Sequence, residues 1–567
     1  MNALEEKIDA ALGQKPADLV IKNVRLLDLN TGALTKTDIA VCGGSVVGTY
    51  GKYRGKKEID GKNQIAVPGF IDAHLHVESS MLTPYEFERS VLPLGTTAAV
   101  CDPHELANVC GVKALAYFLA CARGTVMDLY VNLSSCVPAT ALETSGAALD
   151  STDLKEFKNS SYCLGLAELM NVPGVLAKDP RVLEKAVQFE GRQIDGHAPL
   201  LGGKALNAYL ACGVDNDHET SSLPEAKEKI AKGMRIFIRE GGVAKNLRAL
   251  APLIKDEFIP FIAFCTDDRT PADVKKEGHI NFLIARAIAL GAKPHTAYKT
   301  ASFSAAQALG LRKTGLIAPG YKADIVLVSN LKKCSVTRVF KNGKEVNTRL
   351  FAARPAEPDL SFALHTFRCG PVSEKDLTVR SRHTDTPVIG VIPGSLITKR
   401  LNAKLPVKNG VKTALPARDI LKTAVVGRHS PENNIGLGFV KGFGLRAGAL
   451  ASSVAHDSHN ISVIGVNDAD MVAAVNEIIR MQGGQVAVLN GKIIGRLPLP
   501  AGGLMSLKPH ARLAKDIETL RKAARKLGCK PEEPFLQLAF LQLPVIPHLK
   551  LTDLGLVDAD RFEIIPV

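Results

Sequence analysis

Short apolar runs separated by stretches of helical period dominate the first half of the chain. Residues 66–73, 98–101, 129–133, 163–166, 194–196 and 261–265 are apolar and compact, with longer amphipathic segments between them. Runs of that kind fit strands buried on both faces, and their alternation with helices over roughly 250 residues predicts a parallel α/β barrel. Upstream the texture differs. A short helix over 4–12 precedes an alternating segment from Asp18 to Asp28 and the run Asp38-Ile-Ala-Val-Cys42, which enters Gly43-Gly44. This is the pattern of a small β-sheet. Downstream, strands return without helices at 323–328 and 336–340, and Asn342-Gly343 between apolar runs signals a hairpin. That hairpin is expected to pair with the N-terminal sheet.

The predicted fold class is therefore α/β, a (β/α)8 TIM-like barrel with a β-sandwich built from both flanks and an additional C-terminal α+β domain. The expected divisions are 1–66 and 313–353 for the sandwich, 67–312 for the barrel and 354–567 for the last unit. A Pro-containing stretch from Arg354 to Asp359 marks that last boundary, and beyond it lie a glycine-rich run over 436–448 and a helix over 468–481. A chain of 567 residues is too long for one ordinary core, which agrees with several units.

Composition narrows the class. Hydrophobic content of 46% and charged content of 23% are those of a globular protein. The formal charge of +14 is scattered; its clearest cluster, Arg521-Lys522 with Arg525-Lys526, has helical spacing and reads as a solvated helix face, so no nucleic-acid partner is expected. Eleven cysteines without a C-x-x-C pair support neither a disulfide framework nor a zinc ribbon. Reduced thiols, the absence of a long apolar segment and an N-terminus without a leader-like apolar region predict a cytoplasmic location and no membrane partner. A homo-oligomer, dimer or larger, is the expected assembly.

The chemistry begins at His74-Leu75-His76, which closes the apolar run that starts at Val67-Pro68-Gly69. Two residues apart on a strand, both imidazoles share one face, and at a barrel mouth they can grip a divalent ion. Asp72 is a candidate acceptor behind them. Downstream, Glu168, His197, His218 and the pair Asp267-Asp268 each end a short strand or lie just past it. Any one alone would more often be structural; in this order they form a metal-site pattern.

The pattern resembles the amidohydrolase superfamily. The longer strings Asp-Ala-His-Leu-His-Val-Glu-Ser-Ser-Met from Asp72, Cys-Asp-Pro-His-Glu-Leu-Ala-Asn-Val from Cys101 and Ala-His-Asp-Ser-His-Asn from Ala455 closely resemble bacterial and archaeal adenine deaminases. The resemblance implies that His74 and His76 bind one metal and His197 and His218 its partner. Glu168 stands where many superfamily members carry a carboxylated lysine, and it is implied as the bridging ligand. Asp267 is implied as a ligand that also moves protons, and Asp268 as a neighbour orienting substrate or ligands, roles the two could exchange. The cofactor implied is a binuclear divalent metal, manganese or iron favoured, with zinc compatible with the same ligands.

The implied reaction is hydrolytic deamination of adenine to hypoxanthine and ammonia, with adenine and water as the small-molecule partners. The ring nitrogen beside C6 needs a proton donor as that carbon becomes tetrahedral. Glu105, in Asp102-Pro103-His104-Glu105, is a candidate catalytic acid, with His104 as an orienter or extra ligand. The same residues read equally well as a Pro-led helix start with an acidic first turn. Glu78 and Ser79-Ser80 carry the same ambiguity. By resemblance, His456, Asp457 and His459 face the barrel mouth and help cover the substrate, joined by Arg428-His429 and Glu432-Asn433. His76-Val77-Glu78 formally matches the H-x-E half of the zinc nucleobase deaminase signature, but no P-C-x-x-C follows, which disfavours that mechanism. Cyclic-amide hydrolysis or N-deacetylation on the same scaffold, and a barrel that has lost its chemistry, are the competing readings.

Overall fold

The computed structural model describes residues 2–567. Eight parallel strands occupy the region of alternating texture: β1 (Phe70–Leu75), β2 (Thr96–Cys101), β3 (Asp128–Val131), β4 (Gly165–Leu169), β5 (Gln193–Gly196), β6 (Asn216–Asp217), β7 (Arg235–Arg239) and β8 (Ile262–Cys265). Ladders join β1 to β2 to β3, β4 to β5, and β6 to β7 to β8. Single contacts span the gaps. A bridge between Leu133 and Leu166 links β3 to β4, and one between Leu75 and Asp267 returns β8 to β1. The Asp215 amide donates to the Ile194 carbonyl at 2.9 Å, which links β5 to β6. All residues of β1, β2, β4 and β8 are buried, and apart from Asp72 and His74 in β1, the threonines that open β2 and Glu168 in β4 these strands are apolar.

Two strands escaped the apolar pattern. β6 consists of Asn216 and Asp217 alone, and β7 begins and ends on arginine. β4 also begins two residues later than the run at 163–166 suggests, which places Glu168 inside the strand.

The flanking strands form one sheet. Ile325–Val328 pairs antiparallel with Ile65–Pro68, which pairs parallel with Ala17–Leu27; Val336–Lys341 and Lys344–Glu345 add the hairpin around Asn342-Gly343. Leu19, Ile21, Val41, Ile325 and Phe340 share its buried core. The segments before and after the barrel are thus held by backbone hydrogen bonds to each other.

After residue 384 a second eight-stranded sheet runs in the order Thr398–Lys404, Asp385–Val391, Ile435–Lys441, Ile420–Val426, Ile461–Gly465, Ala449–Ser452, Gly484–Leu489, Lys492–Pro498. Helix Asp468–Met481, capped by Asn467 accepting from the Asp470 amide, packs Met471, Ala474, Val475 and Ile478 on Val463 and Val486. Helix Pro534–Ala539 lies over Ala449–Ser452 and Ile461–Gly465 and belongs to the large core shared with the barrel.

Specific polar contacts fix this unit on the barrel. Asp553 accepts from the Thr144 amide at 3.0 Å, and Asn460 Nδ2 donates to the Thr144 carbonyl at 2.8 Å. The backbone amide of His510, opening helix His510–Lys526, donates to Glu86 Oε2 at 2.9 Å. Arg521 corrects the charge reading. It is buried, donating to Thr270 Oγ1 and Asp273 Oδ1 at 3.1 Å each, because its helix packs against Pro271–Glu277. Lys522, Arg525 and Lys526 are exposed as expected. No helix among the described residues is long and apolar enough to cross a membrane.

Candidate active site

Parallel strands in a closed ring present their C-terminal ends to one rim, and the candidate residues collect there. His74 lies in β1 and His76 just past it; His104 and Glu105 open helix His104–Cys110 after β2; Glu168 lies in β4; His197 follows β5; His218 follows β6; Asp267 and Asp268 follow β8. All are buried.

Glu168 occupies the centre. Its Oε1 lies 2.8 Å from His74 Nε2, 3.0 Å from His76 Nε2 and 3.6 Å from His218 Nε2, while Oε2 pairs with His197 Nδ1 at 2.9 Å. The His218 ring stacks on His74 with centroids 4.0 Å apart. Despite this crowding, Glu168 Oε1, His74 Nε2, His197 Nε2 and His218 Nδ1 are buried without a hydrogen-bond partner. Lone pairs facing one another away from water are costly unless a cation sits among them, so this donor set fits divalent metal. His76 Nδ1 faces the Asp102 carbonyl at 3.0 Å; donation to that carbonyl leaves Nε2 free to ligate.

Asp267 closes the group. Oδ1 lies 3.2 Å from His76 Nε2, and Oδ2 pairs with Arg239, whose fork also grips both oxygens of Glu219. The Asp267 backbone is left-handed, φ 57°, a conformation Asp tolerates better than a branched residue. It is held there by the His76 amide donating to the Asp267 carbonyl and the Asp267 amide donating to the His74 carbonyl, at 3.4 and 3.1 Å. Asp72, placed behind the histidine pair by sequence, instead accepts from Thr266 Oγ1 at 2.6 Å and touches the pair only through the His74 amide.

A second cluster adjoins the first. His104, its ring 4.5 Å from His76, donates through Nδ1 to Asp102 at 2.8 Å and turns Nε2 to Asp457 at 3.5 Å. Glu105 accepts from Ser79 Oγ at 2.6 Å and faces His456 Nδ1 at 3.2 Å and His459 Nε2 at 3.7 Å. Glu78 accepts from the Leu106 amide at 3.2 Å. The C-terminal string is thus brought against the barrel residues. His456, Asp457 and Asp268 line the space over the first cluster with Phe540, Leu543 and Leu396, and Phe540 lies nearly parallel to His456, centroids 5.1 Å apart. Glu78, Glu105 and His459 stand behind that wall. Arg428 and His429 do not reach it: they brace the loop through the carbonyls of His459 and Ser458, and Glu432 is exposed.

Residues 65–346 match the amidohydrolase family, and residues 395–563 match the adenine deaminase C-terminal domain. The chain is 55% identical to an adenine deaminase of Gluconobacter oxydans, with 96% of each chain covered. It is 51% identical to adenine deaminase 1 of Agrobacterium fabrum, covering 99% of this chain and 97% of that one, and 50% identical to an adenine deaminase of Cereibacter sphaeroides over the whole of both. The chain belongs to the adenine deaminase family.

In this adenine deaminase family member the protonation pattern separates the two clusters. Burial pushes the Glu168 carboxyl up, but the imidazoles of His218 and His74 override it and hold it well below the usual range. At Asp267 burial is likewise outweighed, here first by the Arg239 guanidinium. Asp268 goes the other way, pushed up to about 6 by burial and the Asp267 charge. Glu78 rises to about 8 through burial and the neighbouring Glu105 charge, whereas His456 and His459 lower Glu105 against its own burial. His456 rises to about 9, the charge of Glu105 overcoming burial.

Sequence reasoning missed Arg239, Glu219 and the apolar cover. Arg239 ends the apolar triplet Ile236-Phe237-Ile238, so the strand-end rule applied to β7 finds it, and Glu219 directly follows His218. Leu396, Phe540 and Leu543 carry no such signal.

Proposed function

We propose that this chain is an adenine deaminase that hydrolyses adenine to hypoxanthine and ammonia at a binuclear divalent-metal centre, in purine salvage. The observation that carries the reading is the split of Glu168, one oxygen on His74 and His76 and the other on His197, in a chain of this family. His74, His76, Glu168 and Asp267 would hold one ion, and His197, His218 and Glu168 the other. Manganese or iron is favoured, and zinc suits the same ligands. When bound, a divalent metal lowers the pKa of water from ~15.7 to about 7 and so supplies a nucleophile at neutral pH.

The residues around it do the rest. Asp267, with Oδ2 anchored by Arg239, turns Oδ1 to the metal site, where it would take the proton of the attacking water and deliver it to the departing amine. His456, on the cavity wall, is the donor to the ring nitrogen beside C6; Glu105 acts through it by holding its imidazolium in place, and His456 recovers its proton from the hydroxyl on C6 as the amine leaves. Asp268, poised near neutrality, hydrogen-bonds the substrate edge, and Phe540 offers an apolar face to the ring. His104, fixed by Asp102, and Asp457 complete the polar lining, and Glu78 with His459 supports Glu105 from behind.

The architecture we assign is a (β/α)8 barrel over 67–312, a β-sandwich from 1–66 and 313–353, and a C-terminal α+β domain over 354–567 covering the barrel mouth. The ring of strand contacts and the position of His456 support it. A cytoplasmic homo-oligomer is the matching assembly, in keeping with cysteines none of which is paired among the described residues. Ammonia release tests the function. Metal-stripped protein reloaded with manganese should release ammonia from adenine and leave dihydropyrimidines and N-acyl amines intact, and His76→Ala should lose both metal and turnover. Amide cleavage without adenine turnover, or an unchanged His76→Ala, overturns the reading.

A further inference from the structure

A cavity of about 310 Å³ lies outside the catalytic cluster, between the loop that follows β3 and helix Pro180–Gln188. Its volume is within the range of small-molecule sites, about 300–1,000 Å³. Lys185 reaches its wall. That side chain is 7% exposed, and its Nζ donates to a single acceptor, the Ser135 carbonyl at 2.7 Å. No carboxylate among the described residues lies within ion-pair distance of it. An ammonium has three protons to donate, so a buried one with a single acceptor has donors to spare. Burial also lowers the Lys185 pKa, against the opposing pull of the Asp150 and Asp153 charges.

The rest of the wall indicates which acceptor fits. Val137, Leu149, Leu169 and Val182 supply apolar sides suited to a flat ring; at the rim Arg181 is taken up by Asp179, and Asp150 and Glu184 balance Lys185, which leaves no cation in excess to draw in a dianion such as phosphate. We propose that this cavity is a second binding site, taking a neutral planar heterocycle with an exocyclic carbonyl, an oxopurine such as hypoxanthine, with Lys185 donating to that carbonyl. The site adjoins the catalytic centre through a short path. Lys185 holds the Ser135 carbonyl, and Ser135 Oγ donates to the carbonyl of Glu168.

Equilibrium dialysis of the manganese-loaded, full-length protein against labelled hypoxanthine tests this. Two equivalents per chain are expected in the wild type, one at the catalytic site and one here, with millimolar inorganic phosphate displacing neither. Lys185→Met should retain one. Val182→Trp, which fills the cavity from a half-buried helix position, should also retain one and serves if Lys185→Met fails to fold. One equivalent in the wild type, two in both variants, or displacement by phosphate overturns the proposal. The count rests on the deaminase reading, so ammonia release from adenine is measured on the same preparations. Turnover with one bound equivalent sinks the second site alone. Absence of turnover sinks the deaminase reading, and the second site then stands only if the variants lose the single equivalent that the wild type binds.

Discussion

The two polar clusters at the barrel rim are built on opposite principles. The first, around Glu168, takes every residue from strand ends of one ring, and four of its atoms, Glu168 Oε1, His74 Nε2, His197 Nε2 and His218 Nδ1, crowd together without a hydrogen-bond partner. The second, around Glu105, joins the β1 and β2 loops to a segment some 350 residues later, and its groups pair acid with base: Asp102 with His104, Glu105 with His456. A cluster short of protons attracts a cation. A cluster of matched acid–base pairs stores and passes a proton. On the proposed mechanism only Asp267 belongs to both tasks, since it would hold an ion and also move the water proton.

Substitutions that strike one cluster and spare the other sharpen that division. Glu168→Ala removes the carboxylate that spans both histidine sets; metal content should fall, and adenine turnover should drop about 10³-fold or more, the several kcal/mol a bound ion contributes. Metal analysis beside the rate checks both. Glu105→Gln should lower kcat by ~10²–10⁴-fold, the range for a lost acid–base group, while metal content holds. Metal loss in that variant would break the comparison.

Two further changes pull at the seam that assembles the second cluster. Arg521→Met leaves Asp273 and Glu533 buried without their partner and should cost about 3–5 kcal/mol, read as a lower denaturant midpoint. Glu86→Gln is the mildest. His510 holds the Glu86 carboxyl below its ordinary value against partial burial. A depressed carboxylate stabilises above its unfolded pKa, ~4.3, and that contribution fades as pH falls through the folded value. The variant should therefore be about 1 kcal/mol or less below wild type at pH 7, given solvent screening, with the difference vanishing in acid.

How much of this could be read from sequence follows the same division. Period-2 geometry at His74-Leu75-His76 and the strand-end rule at His197 and Asp267 reach the first cluster, because each residue there is placed by its own strand. Glu168 is legible as to position, though the run at 163–166 ends before the strand does. β6 and β7 stay hidden since Asn216-Asp217 has no apolar run and β7 is bracketed by arginines, and with β7 goes Arg239. The second cluster depends on contact between units. No local pattern tells that His456 meets Glu105, or that Phe540 lies over His456, and only the resemblance of the string from Ala455 put that loop at the rim. Arg521 teaches the same lesson in reverse: helical period is local, but which face is covered is decided by a partner helix.

The closure of β8 onto β1 has a kinetic meaning. The hydrogen bonds that complete the ring are made by the backbones of His74, His76 and Asp267 themselves, across more than 190 residues of chain. Contacts of such long sequence separation are slow to form, because the entropy of closing the intervening chain must be met before they repay it. On the proposed ligand set, the histidine pair and Asp267 would come together as one site only once the ring has shut. Metal uptake by a newly made chain would then report completed folding, and an incompletely folded chain could not hold a reactive ion in a half-built pocket.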